Sequence, residues 1–156
     1  MEGDYYAQLA RYTEAKQEYL EAVAACDREI ILTPDDVATL NNKGTALQNL
    51  GDLQAGLSEF EAAKQSYSEA IAAFNSALLI APDYINALNN KGTALLSLGE
   101  LQAKLSEEQE ALKNCQEALE MWNRSLAIAP NNDRLRNRRD SLQEFLDNLG
   151  EDTVSS

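Results

Sequence analysis

The sequence predicts an all-α repeat protein of about six antiparallel helices, and three observations carry that expectation. The heptapeptide NNKGTAL begins at Asn41 and again at Asn89. Pro34, Pro82 and Pro130 fall at the same 48-residue shift. Between these marks apolar residues recur at alternating steps of four and three, the period of a helix that packs along neighbouring helices. Residues 35–82 and 83–130 share 25 identities in 48 positions, too many for shared helical composition alone. The 48 residues are therefore a structural unit.

The elements follow in order. Residues 3–34 match the later part of the unit and read as one long helix with a seam of Tyr5, Leu9, Tyr12, Lys16, Tyr19, Val23, Cys26 and Ile30. Each whole unit then begins with a short helix, 35–50 and 83–98, whose first turn holds Asp35 or Asp83. LG at 50–51 and 98–99 is expected to stop it, because glycine accepts the left-handed cap conformation. A long second helix follows, 53–80 and 101–128, and ends before the AP pairs at 81–82 and 129–130. Residues 131–149 repeat only the early part of the unit and form the last helix. One domain over 1–150 results, with a disordered tail expected at 151–156.

Composition narrows the function classes. The formal net charge of −13 argues against nucleic acid, which needs a basic footprint, and against an anionic membrane surface. The sequence has no histidine, so the usual general base and commonest metal ligand are missing. Cys26 and Cys115 have no metal-site spacing and fall on apolar helix faces, where reduced buried thiols are the expectation. No nucleophile or phosphate-loop motif occurs, and adjacent carboxylates such as Glu107 and Glu108 read as a solvated face. Neither catalysis, a metal nor a cofactor is expected. The opening MEGDYYAQLA lacks the basic start and apolar run of a signal peptide, and no stretch is long and apolar enough to cross a bilayer. A cytoplasmic location is the expectation.

With residues 53–66 removed, the first unit reads ATLNNKGTALQNLGD-YSEAIAAFNSALLIAP. This resembles a tetratricopeptide repeat, whose unit is 34 residues. The resemblance rests on Leu40, Gly44, Leu47, Gly51, Tyr67, Ala70, Phe74, Ala77 and Pro82, then on Leu88, Gly92, Leu95, Gly99, Ala118, Trp122, Ser125 and Pro130. It covers residues 3–149. Cys115 stands where the pattern has tyrosine, and Cys26 where it has an aromatic. Each unit carries fourteen extra residues, two heptads, which return the apolar face nearly in phase. The expected result is a short right-handed solenoid in which long second helices project past short first ones.

The resemblance implies a protein-interaction scaffold, with the first helices lining a concave face that holds a peptide or partner protein. The matching positions include Asn41, Asn42, Thr45 and Gln48, then Asn89, Asn90 and Thr93. An asparagine can donate to and accept from a peptide backbone at once. On the last helix Arg134 and Arg138 share a face and offer a site for a carboxylate. The alternative is a structural protein that self-associates. Its basis is the half unit at each end, which allows head-to-tail pairing with a second copy or with further repeats, and the tyrosine-rich first helix.

Overall fold

The computed structural model describes residues 2–154, with side-chain surroundings through Leu149. Among these the chain is all helix: α1 Glu2–Leu32, α2 Val37–Gly56, α3 Phe60–Ile80, α4 Ile85–Lys104, α5 Glu108–Ile128 and α6 Asp133–Val154. Each helix packs on the next in sequence, and α2 also lies beside α4. This is the nearest-neighbour pattern of a repeat solenoid. The all-α class and the six helices are as the 48-residue period requires.

The alternation of long and short helices is not. Helices α2 and α3 have 20 and 21 residues, and α4 and α5 repeat those lengths. In the two whole units the fourteen extra residues are divided between the two arms of the hairpin, so neither α3 nor α5 projects past its partner; α1 alone, with 31 residues beside the 20 of α2, is the long helix expected over 3–34. Gly51 and Gly99 do not stop the first helix. They stay helical and are buried, because another chain segment lies against them.

The turn comes seven residues later, at Leu57-Ser58-Glu59 and Leu105-Ser106-Glu107. Ser58 and Ser106 have φ of 61° and 63°, the left-handed region that closes many helices. The Ser58 and Glu59 amides donate to the Ala55 and Gln54 carbonyls, and Ser106 and Glu107 do the same to Ala103 and Gln102. Both turns therefore satisfy the last carbonyls of the first arm with the same pair of bonds. Each is braced from inside. Ser66 Oγ donates to Gln54 Oε1 at 2.6 Å, and Asn114 Nδ2 to Gln102 Oε1 at 2.6 Å.

At its other end α2 starts at Val37, so Asp35 precedes the helix and is not in its first turn; the N-cap is Asp36, whose carboxylate accepts from the Ala38 amide at 3.0 Å and the Thr39 hydroxyl at 2.8 Å. Helix α6 extends through Val154, so the first four residues of the expected tail, 151–154, continue the helix. Residues 155 and 156 lie outside the described residues.

The core runs between the arms. Leu40, Leu47, Ala70, Phe74 and Ala77 pack with Ala87 and Ala94 between the first hairpin and α4. Leu88, Leu95, Ala118, Trp122 and Leu126 pack with Leu135 and Leu142 of α6. Near the first turn, Ala63, Tyr67, Leu98 and Leu101 form a smaller cluster edged by Phe60 and Leu105. Helix α1 lays the predicted seam, from Tyr12 to Ile30, half-buried against α2, while Tyr5, Tyr6 and Leu9 stay exposed. Two ion pairs repeat at the unit spacing. Lys16 reaches Glu59 at 3.3 Å, and Lys64 reaches Glu107 at 2.6 Å, so each second-arm lysine clips the next hairpin's turn. Glu107 holds the Lys64 ammonium above its ordinary pKa.

Two glycines of α2 predict opposite effects. A Cβ at Gly44 would lie 2.5 Å from the Phe74 ring, whereas one at Gly56 meets nothing within 4 Å. Gly44→Ala should cost about 1–3 kcal/mol through overpacking. Gly56→Ala should stabilise by about 0.4–1 kcal/mol, through the unfolded chain. Urea unfolding of both variants checks the signs. Ser58→Gly should likewise stabilise, by about 1 kcal/mol, since only its backbone conformation is relieved. An unchanged midpoint there would mean that the positive φ is not strained.

Candidate functional site: a polar ladder and an apolar cleft

The repeat sets the geometry of the first-arm helices. Asn90 Nδ2 donates to Asn41 Oδ1 at 3.1 Å and lies 3.4 Å from Thr45 Oγ1. One unit on, Arg138 occupies the position of Asn90, and its Nη1 donates to Thr93 Oγ1 at 3.4 Å. The two contacts join equivalent positions on successive helices. Thr45 and Thr93 donate in turn to the Asn41 and Asn89 carbonyls of their own helices.

So the structure brings together Asn41, Thr45 and Asn90, and separately Asn89, Thr93 and Arg138. Asn42 is exposed and Gln48 half-buried, and neither side chain bonds to another group among the described residues. Asn41 and Asn90 largely serve each other, which joins α2 to α4 and leaves less of them for a ligand.

The replacement of asparagine by Arg138 has two consequences. Its guanidinium lies 4.7 Å from the Trp122 ring centre, a cation–π contact, while Trp122 Nε1 donates to the Asn89 carbonyl at 3.3 Å. Asn89 Oδ1, the counterpart of the acceptor that Asn90 satisfies in the first unit, is buried with no hydrogen-bond donor among the described residues. Burial first, and then the nearby Arg134 charge, push the Arg138 pKa down, against a smaller opposing pull from the Glu100 carboxylate, and a guanidinium stays charged. Arg136 is engaged by Asp133 and the Pro130 carbonyl, and Arg139 by Asp140 and Asn123. Arg138 has no acidic partner in the described residues, and exposed Arg134 lies one helical turn away on the same face.

Beside this ladder an apolar cleft of about 1130 Å³ opens between α4, α5 and α6. Its walls include Leu96 and Ala103 of α4, Leu112 and Cys115 of α5, and Leu142, Phe145 and Leu149 of α6. Phe145 is 54% exposed, Leu149 41% and Leu112 40%. The repeat explains why a cleft stands here and not in the first unit. There the Tyr67 ring lies on Gly51, its hydroxyl donates to Asp52 at 2.7 Å, and Phe60 and Leu101 close the space. Cys115 and Glu108 hold the positions of those two rings in the second unit. Two aromatic rings are missing, and α6 spans the gap without filling it. Burial, then the Glu100 carboxylate, raises the Cys115 thiol pKa.

Sequence reasoning named the ladder residues but missed the cleft. The departure at Cys115 was its signal: a small residue in a position built for a tyrosine leaves space unless the neighbouring helix moves in.

None of the described helices is long and apolar enough to cross a membrane. A comparison with curated proteins finds no match. Among protein families, one whose model matches is the plant-specific mitochondrial import receptor subunit TOM20, over residues 8–144. The match is to this receptor family and not to the tetratricopeptide repeats that the sequence resembles. It overturns the cytoplasmic expectation, since an import receptor subunit points to the mitochondrial outer membrane. Neither the opening residues nor the apolar content of the described helices determines where a receptor subunit resides. With 8–144 taking in all of α2 to α5 and most of α1 and α6, this chain belongs to the plant-specific mitochondrial import receptor subunit TOM20 family.

Proposed function

We propose that the chain is a receptor domain that captures the targeting segments of mitochondrial precursor proteins in the α4–α6 cleft. The cleft between α4, α5 and α6 is the observation that carries this reading. Mitochondrial targeting segments are amphipathic, rich in arginine and poor in acidic residues. Their apolar face suits Leu112, Phe145 and Leu149. Their cations suit Glu100 and Glu108 beside the cleft and a chain of net charge −13. The volume exceeds what a typical small ligand fills, and an open groove walled by three helices fits a helix laid along it. Arg138 lines the cleft, and Arg134, one turn away on the same face of α6, adds a second polar contact to the same partner.

The decisive variant restores what the first unit has. Cys115→Tyr should set a ring on Gly99 with its hydroxyl at Glu100, as Tyr67 sits on Gly51 with its hydroxyl at Asp52. Its melting temperature should hold or rise, while affinity for an arginine-rich amphipathic peptide falls more than tenfold, about 1.4 kcal/mol. Calorimetric titration checks this, and full affinity in the folded variant removes the cleft from the account. Alkylation supplies a second measurement. With its pKa raised, Cys115 is less ionised at pH 8 than an ordinary thiol and should react more slowly. Saturating peptide should slow it at least tenfold further while leaving Cys26 unaffected.

A further inference from the structure

The cleft has electrically different ends. Its inner end is fixed by Arg138, which is within 4.7 Å of Trp122 on α5 and 3.4 Å of Thr93 on α4. Arg134 adds a second cation one turn away. From that level α4 runs outward to Glu100, about 10 Å on, and α5 runs back to Glu108, about 21 Å away at 1.5 Å per residue. Between these ends the walls are apolar, through Cys115, Leu142, Phe145 and Leu112. A guest helix therefore meets Arg138 and Arg134 at one end, partly offset by the Glu100 carboxylate midway along the cleft, and Glu108 at the other end.

A helix is itself polar. Its last carbonyls carry partial negative charge and its first amides partial positive charge. Arginines near a carboxyl end bond the free carbonyls, and carboxylates favour the amino end. The guest's own arginines add to this, since they are drawn to Glu100 and Glu108 and repelled by Arg134 and Arg138.

We infer that the cleft reads the direction of the helix it holds: the guest's carboxyl end lies at Arg134 and Arg138, and its amino-terminal turns lie over Glu100 and Glu108. The guest then runs parallel to α5 and antiparallel to α4 and α6, so its dipole opposes those of both helices that flank it. This inference rests on the cleft being the receptor site. It adds that one orientation of an amphipathic segment is preferred and that Arg134 and Arg138 are the specificity-determining residues.

The test uses the full chain and a synthetic arginine- and leucine-rich amphipathic peptide of about four helical turns. The peptide carries a nitroxide at its amino end in one sample and at its carboxyl end in another. The expected result is that the carboxyl-end label broadens the Thr93 amide and the Trp122 indole signals. The amino-end label broadens Leu112 and Leu149 instead.

Arg138→Asn with Arg134→Ala removes the cations with residues that the repeat already accepts there, Asn90 and Ala38. The asparagine also offers Asn89 Oδ1 a donor, as Asn90 does for Asn41, so the variant folds. It should bind about threefold to tenfold more weakly, and the two labels should lose their separate patterns. A reversed pattern, or both labels broadening both ends equally in the unaltered chain, overturns the directional reading and leaves the cleft in place. Broadening confined to residues outside the cleft overturns the receptor site and the direction together.

Discussion

The close approach of a helical glycine to a side chain of the opposing arm sets the geometry of every hairpin. Gly44 meets Phe74, Gly51 meets Tyr67 and Gly92 meets Trp122, each so closely that a methyl group would enter the ring. Gly99 meets the Cys115 sulfur and the Ala111 carbonyl. Because the rings lie against bare backbone, the arms approach closely enough for small residues such as Ala70, Ala77 and Ala118 to be wholly buried between helices. The separation of the arms then places each first helix against the next, and that contact aligns Asn90 with Asn41 and Arg138 with Thr93. Where the ring is absent, at Cys115, the glycine and the arm spacing remain and the vacant volume becomes the cleft.

The repeat, the helical class and most of the core were legible because they depend on periodicity. Phe74 and Trp122, which fall on the apolar spacing, and Leu40, Leu47, Leu88 and Leu95, which carry the family resemblance, are all buried. The turns were not legible. Leu57-Ser58-Glu59 contains neither glycine nor proline, and the heptad runs straight through it. Helix α1 shows that the pattern by itself does not bend: Leu9, Ala10 and Arg11 hold the same positions and remain within one unbroken helix. What distinguishes the hairpins is tertiary. Gln54 and Gln102 brace against Ser66 and Asn114, whereas α1 has Tyr6 and Glu18 at those places. The glycines misled for a related reason: Gly51 and Gly99 are small to admit a neighbour, and helix-stop signals and close-packing signals use the same residue.

The candidate site divides similarly. The asparagine face was visible as a repeated string, but whether Asn41 and Asn90 face a ligand or one another depends on a spacing between helices that no single unit encodes. The cleft depends on what two residues fail to fill, and a void leaves a trace only against the repeat that fills it. The basic cluster of the last helix was visible as RLRNRRD. Its sorting into two arginines paired with acidic residues and two with no acidic partner among the described residues appears only in the folded structure.

The equal division of the extra residues has a consequence for how such units change in length. Seven residues added to one arm alone would leave two helical turns with no opposing surface. Seven added to each restore a full seam, keep the face in phase and move the turn outward without altering the contacts near the prolines. Hairpin height is thus a quantised variable that grows in matched steps of a heptad per arm. The wall of a groove built from such hairpins can deepen by about 10 Å at a time, while the floor that anchors one repeat to the next stays the same.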